Sequence, residues 1–244
     1  MANLQDGGNA ANIANFENLI TYCSNLGATY NPSRDALKSP QLQTLLSEAQ
    51  TVMAEIMALI AVYDIALENR KKLFSNVRPL TNQVFNTLSI SGVDDAVLEG
   101  AKSFKRKIHG KRASEKPEPI MIDGVATVPK TNSSSQTSFN YLIEHFGALV
   151  AVVANHPEYN PNEEELKVAN LTQYINQLKQ ANTSVINSHV ALDLARGKRQ
   201  QVLYGEKTGL VDIAMDVKTY IKIAFGINSL EYNKIKGISF KRFV

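Results

Sequence analysis

Basic side chains are the residues whose clustering in this sequence points most directly to chemistry. Lys102, Lys105, Arg106, Lys107, Lys111 and Arg112 fall within a short stretch that also holds His109, and Lys234, Lys236, Lys241 and Arg242 close the chain. Each cluster carries the tetrapeptide Ser-Phe-Lys-Arg, at 103–106 and 239–242. Clustered Lys and Arg suit an anion: the phosphates of a nucleic acid, an anionic membrane surface or an acidic protein. Cations at a helix C-terminus are also favoured by the helix dipole without any ligand. No helix-turn-helix, RNA-recognition or zinc-finger signature accompanies them, so base reading is not expected. Across the whole chain, 26 basic residues nearly balance 23 acidic ones.

A second set of polar residues interrupts what is otherwise an apolar stripe. Arg70 and Arg199 occupy matching positions, and an arginine there must reach solvent or a carboxylate, because burying it unpaired is costly. Asn182, His189 and Arg196 replace apolar residues found at the corresponding earlier positions. With the two arginines, they are candidates for a polar groove.

Catalytic patterns are absent. The chain has no Gly-x-x-x-x-Gly-Lys-Ser/Thr loop, no Gly-x-Gly-x-x-Gly, no Cys-x-x-Cys and no His-Glu-x-x-His. None of His109, His145, His156 and His189 follows a glutamate by three residues, as a di-iron bundle requires. Cys23 is the sole cysteine and reads as a core-filling thiol, its counterpart in the later half being Phe146. No catalytic residue, metal set or cofactor is therefore expected, and the chain reads as a non-enzyme.

The elements that position these residues follow from self-similarity. Phe16, Leu19 and Ile20 recur as Phe139, Leu142 and Ile143. Tyr30-Asn31-Pro32 recurs as Tyr159-Asn160-Pro161, and Leu37-Lys38 with Leu42 as Leu166-Lys167 with Leu171. The offsets grow in order, from 123 through 129 to 136. Two diverged copies, 16–112 and 139–244, account for that order. Residues 1–15 read as an N-terminal tail. Residues 113–138, rich in proline and serine, read as a linker, with 120–128 either extended or a small hairpin about Asp123-Gly124.

Each copy reads as about four helices, one of them long. In the first copy Leu42, Leu45, Ala49, Val52, Ile56, Leu59 and Tyr63 follow alternating three- and four-residue spacing. Leu46, Met53, Ile60, Leu67 and Phe74 flank them, and such a stripe predicts one helix about 48 Å long. Asn31 and Asn160, each followed by proline, suit its N-caps, while Ser39-Pro40 suggests a break. Shorter helices are predicted at 10–26, 139–154, 77–90, 209–225, 93–108 and 228–240, with Gly205–Gly209 as a turn between helices.

The fold class is thus all-α, a tandem duplication of a helical-bundle unit, either fused into one pseudo-twofold bundle or strung as two bundles. The N-terminus lacks a basic and an apolar signal region, and neither 52–67 nor 146–154 reaches bilayer-spanning length. A cytoplasmic protein without integral membrane association is expected, with a virion component or an unconventionally exported protein as alternatives. The leading functional expectation is a structural or protein-interaction protein that binds a partner or itself. Sequence-nonspecific nucleic-acid binding through the basic ends is the second reading, and a small-ligand or metal-binding bundle the third.

Overall fold

The computed structural model describes residues 4–111, 120–122, 125–127 and 136–243. Helix accounts for 78% of the chain, so the all-α class holds. In order, the helices are α1 (Leu4–Asn25), α2 (Ser39–Ser75), α3 (Val77–Ser89), α4 (Asp95–Ile108), α5 (Phe139–Ala154), α6 (Val168–Tyr204), α7 (Leu210–Phe225) and α8 (Leu230–Ile235). A small antiparallel hairpin joins β1 (Ile120–Ile122) to β2 (Val125–Thr127), with Ile122 opposite Val125. Of the two forms left open for 120–128, the strands take the paired one. The remainder of the expected linker falls largely outside the described residues.

The chain packs into two compact units, and both cut across the halves matched in the sequence. One unit comprises Met1–Tyr63 with Ser188–Val244, and the other Asp64–Asn187. The first unit buries Phe16 and Leu19 of α1 and Leu42, Leu46 and Ala49 of α2. Leu203 of α6, Leu210, Ile213, Val217 and Ile221 of α7 and Ile235 of α8 join the same cluster. Val52, Ile56, Leu192 and Ala195 continue the apolar packing within this unit. The second unit buries Phe74 of α2, Leu80, Val84 and Leu88 of α3, and Ile108 of α4 with Phe146 and Leu149 of α5 and Leu171 and Leu178 of α6. Each fully buried aliphatic or aromatic side chain is worth about 1.5–3 kcal/mol, and in each cluster these come from both sequence halves. Two bundles each closed on its own half are therefore excluded.

The stretch expected as an N-terminal tail is instead helical from Leu4. Its polar residues explain why. Asn9 and Asn12 are buried; the Tyr204 hydroxyl donates to Asn9 Oδ1 at 2.5 Å, and Asn12 Nδ2 donates to Tyr204 Oη at 3.2 Å. Asn12 also clamps the backbone of Lys241, receiving its N–H at 3.0 Å and donating to its carbonyl at 2.7 Å. Asn15 donates to the Ser239 carbonyl at 2.8 Å. The carboxy-terminal strand of chain thus lies along α1. Gly8 gives it room, since a Cβ there would stand 2.2 Å from the Phe243 ring.

That clamp accounts for a second departure. The last helix stops at Ile235, short of the predicted 240, because the backbone groups of Ser239 and Lys241 are spent on α1. Ser-Phe-Lys-Arg is consequently helical at 103–106 and non-helical at 239–242.

A third departure concerns the starts of the long helices. Asn31 and Asn160 do not cap them. Short 3-10 turns at Asp35–Leu37 and Glu164–Leu166 intervene, and the helices begin at Ser39 and Val168. A tyrosine hydroxyl anchors each turn: Tyr30 donates to the Leu37 carbonyl at 2.6 Å and Tyr159 to the Leu166 carbonyl at 2.9 Å. Pro40 then sits in the first turn of α2, where its missing N–H costs nothing. Both long helices are 37 residues.

The predicted turn between α6 and α7 is present and tight. A Cβ on Gly209 would lie 2.5 Å from the Gly205 nitrogen, and one on Gly205 would lie 2.5 Å from the Gln201 carbonyl. Both glycines are needed for this close backbone approach.

Candidate interaction surfaces

The basic stretch of α4 forms one wall of a cleft in the second unit. Lys102, Lys105, Arg106 and His109 recur at i, i+3, i+4 and i+7, which places them on one helix face. Ala101 and Ile108 lie off that face and are buried. Asn82 and Phe85 of α3 form the facing wall, and Lys111 completes the lining. Gly110, with φ of 68°, supplies the left-handed turn just before Lys111. The cleft measures about 530 Å³.

Its electrostatics are one-sided. Among the described residues, no carboxylate lines it. Lys102 pairs with Glu99 at 2.8 Å on the exposed surface of α4, but among the described residues Lys105, Arg106 and Lys111 pair with no acid. The Lys105 ammonium stands 4.3 Å from the centre of the Phe85 ring. Burial, then the charge of Lys111, lowers its pKa. His109 is held by Asn82, whose Oδ1 is 3.1 Å from Nε2. Burial lowers the His109 pKa, with Arg78, Lys105 and Lys111 adding to the effect. Lys107 points elsewhere, 5.7 Å from the Phe104 ring centre. Arg112 lies outside the described residues.

The carboxy-terminal cluster is engaged differently. Arg242 donates to the Tyr204 carbonyl at 3.0 Å and pairs with Asp212. Lys241 is the residue clamped by Asn12. Lys236 Nζ donates to Asn233 Oδ1 at 2.8 Å, and Lys234 is exposed in the last turn of α8. Much of this cluster closes the first unit.

The candidates for a polar groove fall into separate units. In the second, Arg70 donates to Asn182 Oδ1 at 3.1 Å and its guanidinium stacks 4.1 Å from the centre of Phe139. Asn182 donates onward to Asn140 Oδ1 at 2.8 Å. Arg70 thus finds an amide and an aromatic face, where the sequence suggested a carboxylate or solvent. In the first unit, His189 Nδ1 is 3.1 Å from Asp193 and its ring meets Tyr63 edge-on at 5.5 Å. Arg196 reaches the same aspartate at 3.4 Å, and Arg199 is half-buried. The five residues are not brought together as one groove within either unit.

The sequence reading missed a set of apolar residues left over once the buried stripe is drawn. Met57 of α2 and Leu194 of α6 are 64% and 70% exposed in the first unit; Ile65 of α2 and Ile186 of α6 are 62% and 54% exposed in the second. Met57 and Ile186 are 129 residues apart, as are Ile65 and Leu194. Each unit therefore exposes one residue from each of these two 129-spaced pairs. Solvated α2 positions are also apolar enough to alter the reading of membrane-spanning length. One stretch within 39–89 is long and apolar enough to cross a membrane by length and composition, and 17% of its most apolar window is buried.

Among the described residues, no three His, Cys, Asp or Glu side chains come together as a metal set. What the fold defines is an all-helical protein whose surfaces, among the described residues, include a basic cleft and exposed apolar positions on α2 and α6. No protein-family model matches the chain, nor does any curated protein or solved structure match it significantly.

Proposed function

We propose that this chain is a non-enzymatic, internally duplicated helical protein that works by association, with a second copy or another protein covering the apolar faces of α2 and α6. The observation that carries this reading is the exposure of Met57, Ile65, Ile186 and Leu194 at matched positions. Isolated exposed apolar residues are ordinary. Four large ones repeated in register on two long helices are the kind of surface that partners bury. Duplication is supported by the equal lengths of α2 and α6 and by the two tyrosine-anchored turns, each bridging seven residues. Exchange of helices between the halves is also what a fused pseudo-symmetric pair would give.

The test is the solution mass of the full chain across a wide concentration range, with and without Ile65→Glu and Ile186→Glu. The expected result is a mass above that of one chain, or a stoichiometric protein partner, lost in the double variant while the helical content stays. A monomer that takes no protein partner, yet floats with lipid vesicles through the same residues, would replace protein association with membrane binding.

A further inference from the structure

We propose that the α3–α4 cleft of the second unit is a binding site for a compact, multiply charged phosphate-bearing anion. The association function does not need this cleft, which shares no residue with the apolar faces.

Three observations carry the proposal. The first is shape. At about 530 Å³ the cleft lies in the range of small-ligand pockets, and two helices and the turn at Gly110 wall it. A flat basic patch of the kind that tracks a polymer backbone would lack that concavity.

The second is the donor set. Lys102, Lys105, Arg106 and Lys111 bring positive charge to one hollow, His109 adds a ring nitrogen, and no carboxylate among the described residues opposes them. The dipole at the end of α4 explains why cations are tolerated there. It does not explain why they converge on a hollow lined by Asn82 and Phe85. Those α3 residues hold the donors in place: Asn82 fixes the His109 ring, and the Phe85 face holds the Lys105 ammonium. The lowered pKa of Lys105 reports the same crowding, since burial and the Lys111 charge both disfavour its ammonium. A bound polyanion would offset the repulsion from Lys111. Several phosphate oxygens suit this set better than one carboxylate, because the donors come from successive turns of a helix and from the chain beyond it.

The third is contrast. In the first unit, the Arg242 guanidinium is committed to Asp212 and the Tyr204 carbonyl. Lys218 Nζ is likewise turned inward, donating to the Lys236 and Ile238 carbonyls. Those two cations are tied to acceptors of the chain itself, whereas among the described residues Lys105, Arg106 and Lys111 have no acidic partner.

Calorimetry on the full chain at about 150 mM salt, where surface charges are screened beyond roughly 8 Å, tests this with tripolyphosphate, ATP, sulfate and a single-stranded oligonucleotide. Tripolyphosphate should bind one per chain, at least about tenfold tighter than sulfate, because several charge-assisted contacts form at once. ATP binding no weaker than tripolyphosphate supports the phosphate cluster as the recognised element. Lys105→Gln with Arg106→Gln should weaken tripolyphosphate about tenfold or more, and Lys71→Gln on α2 should leave it unchanged. If the double variant loses its cooperative melt, Lys111→Gln alone provides the same comparison at the mouth. Equal affinity for sulfate and tripolyphosphate, or indifference to these substitutions in folded protein, overturns the proposal. So does tight, length-dependent oligonucleotide binding without tripolyphosphate binding, which would make the cleft part of a nucleic-acid surface.

Discussion

Cys23 is 1% exposed, and burial pushes its thiol up to about 11. Almost none of it is thiolate at neutral pH, and the thiolate is the reactive form. Native protein should therefore resist a thiol-labelling reagent at pH 7.5, and one equivalent should react once denaturant is added. Fast stoichiometric labelling of folded protein would contradict this placement. Two histidines make an opposite kind of statement. Burial lowers the pKa of His145, with Lys107 adding to the effect and Glu144 opposing it; burial also lowers that of His109. In the unfolded chain both titrate near 6.5. The folded state holds them neutral where the unfolded state already binds protons, so stability is present above that range and declines as pH falls through it. The melting temperature should drop between pH 7.5 and 5.5. His145→Gln with His109→Gln should flatten that dependence; an unchanged slope would assign it to the carboxylates.

At the scale of elements, the paired tyrosine turns decide where the long helices start. Tyr30→Phe and Tyr159→Phe each remove one donor from a buried bond to Leu37 or Leu166. Each should cost about 1–3 kcal/mol, since the carbonyl is left without its partner. Denaturant unfolding of each variant measures this, and a change under about 0.5 kcal/mol would mean that water replaces the hydroxyl. These turns also mark the limit of sequence reading. Asn31-Pro32 carries a local cap signal, but the bond that sets the helix start joins residues seven apart, and no periodicity encodes it. The ends of helix α5 are legible in the sequence, because Ser138 caps it locally and an apolar run fills 146–154 to its last residue. Helix α8 was overextended, because Asn12 intercepts the backbone of Lys241 from the far end of the chain. The cleft was half legible. The spacing of Lys102, Lys105, Arg106 and His109 shows one helical face, whereas Asn82 and Phe85 join it only through the packing of α3 on α4.

For the whole molecule, the exchange of segments is the governing fact. Each unit draws on both halves of the sequence, and pattern matching along the chain detects likeness without showing which pieces pack together. Residues 1–112 expressed alone should give, as a monomer, no cooperative thermal transition. Mixed with a separate 136–244 chain, they should recover helical circular dichroism and a cooperative melt in a one-to-one complex. A cooperative melt from monomeric 1–112 would show that the halves do not depend on each other.

The same exchange orders events during synthesis. The second unit is one continuous stretch, 64–187, and is complete before the last part of the chain exists. The first must wait, because Asn9 meets Tyr204 across 195 residues of chain. Such distant pairings form slowly. Phe16 and Leu19, fully buried at the end, cannot complete their cluster until Leu203 and Leu210 emerge from the ribosome. Apolar surface left open over that interval is the kind that aggregates and that chaperones cover.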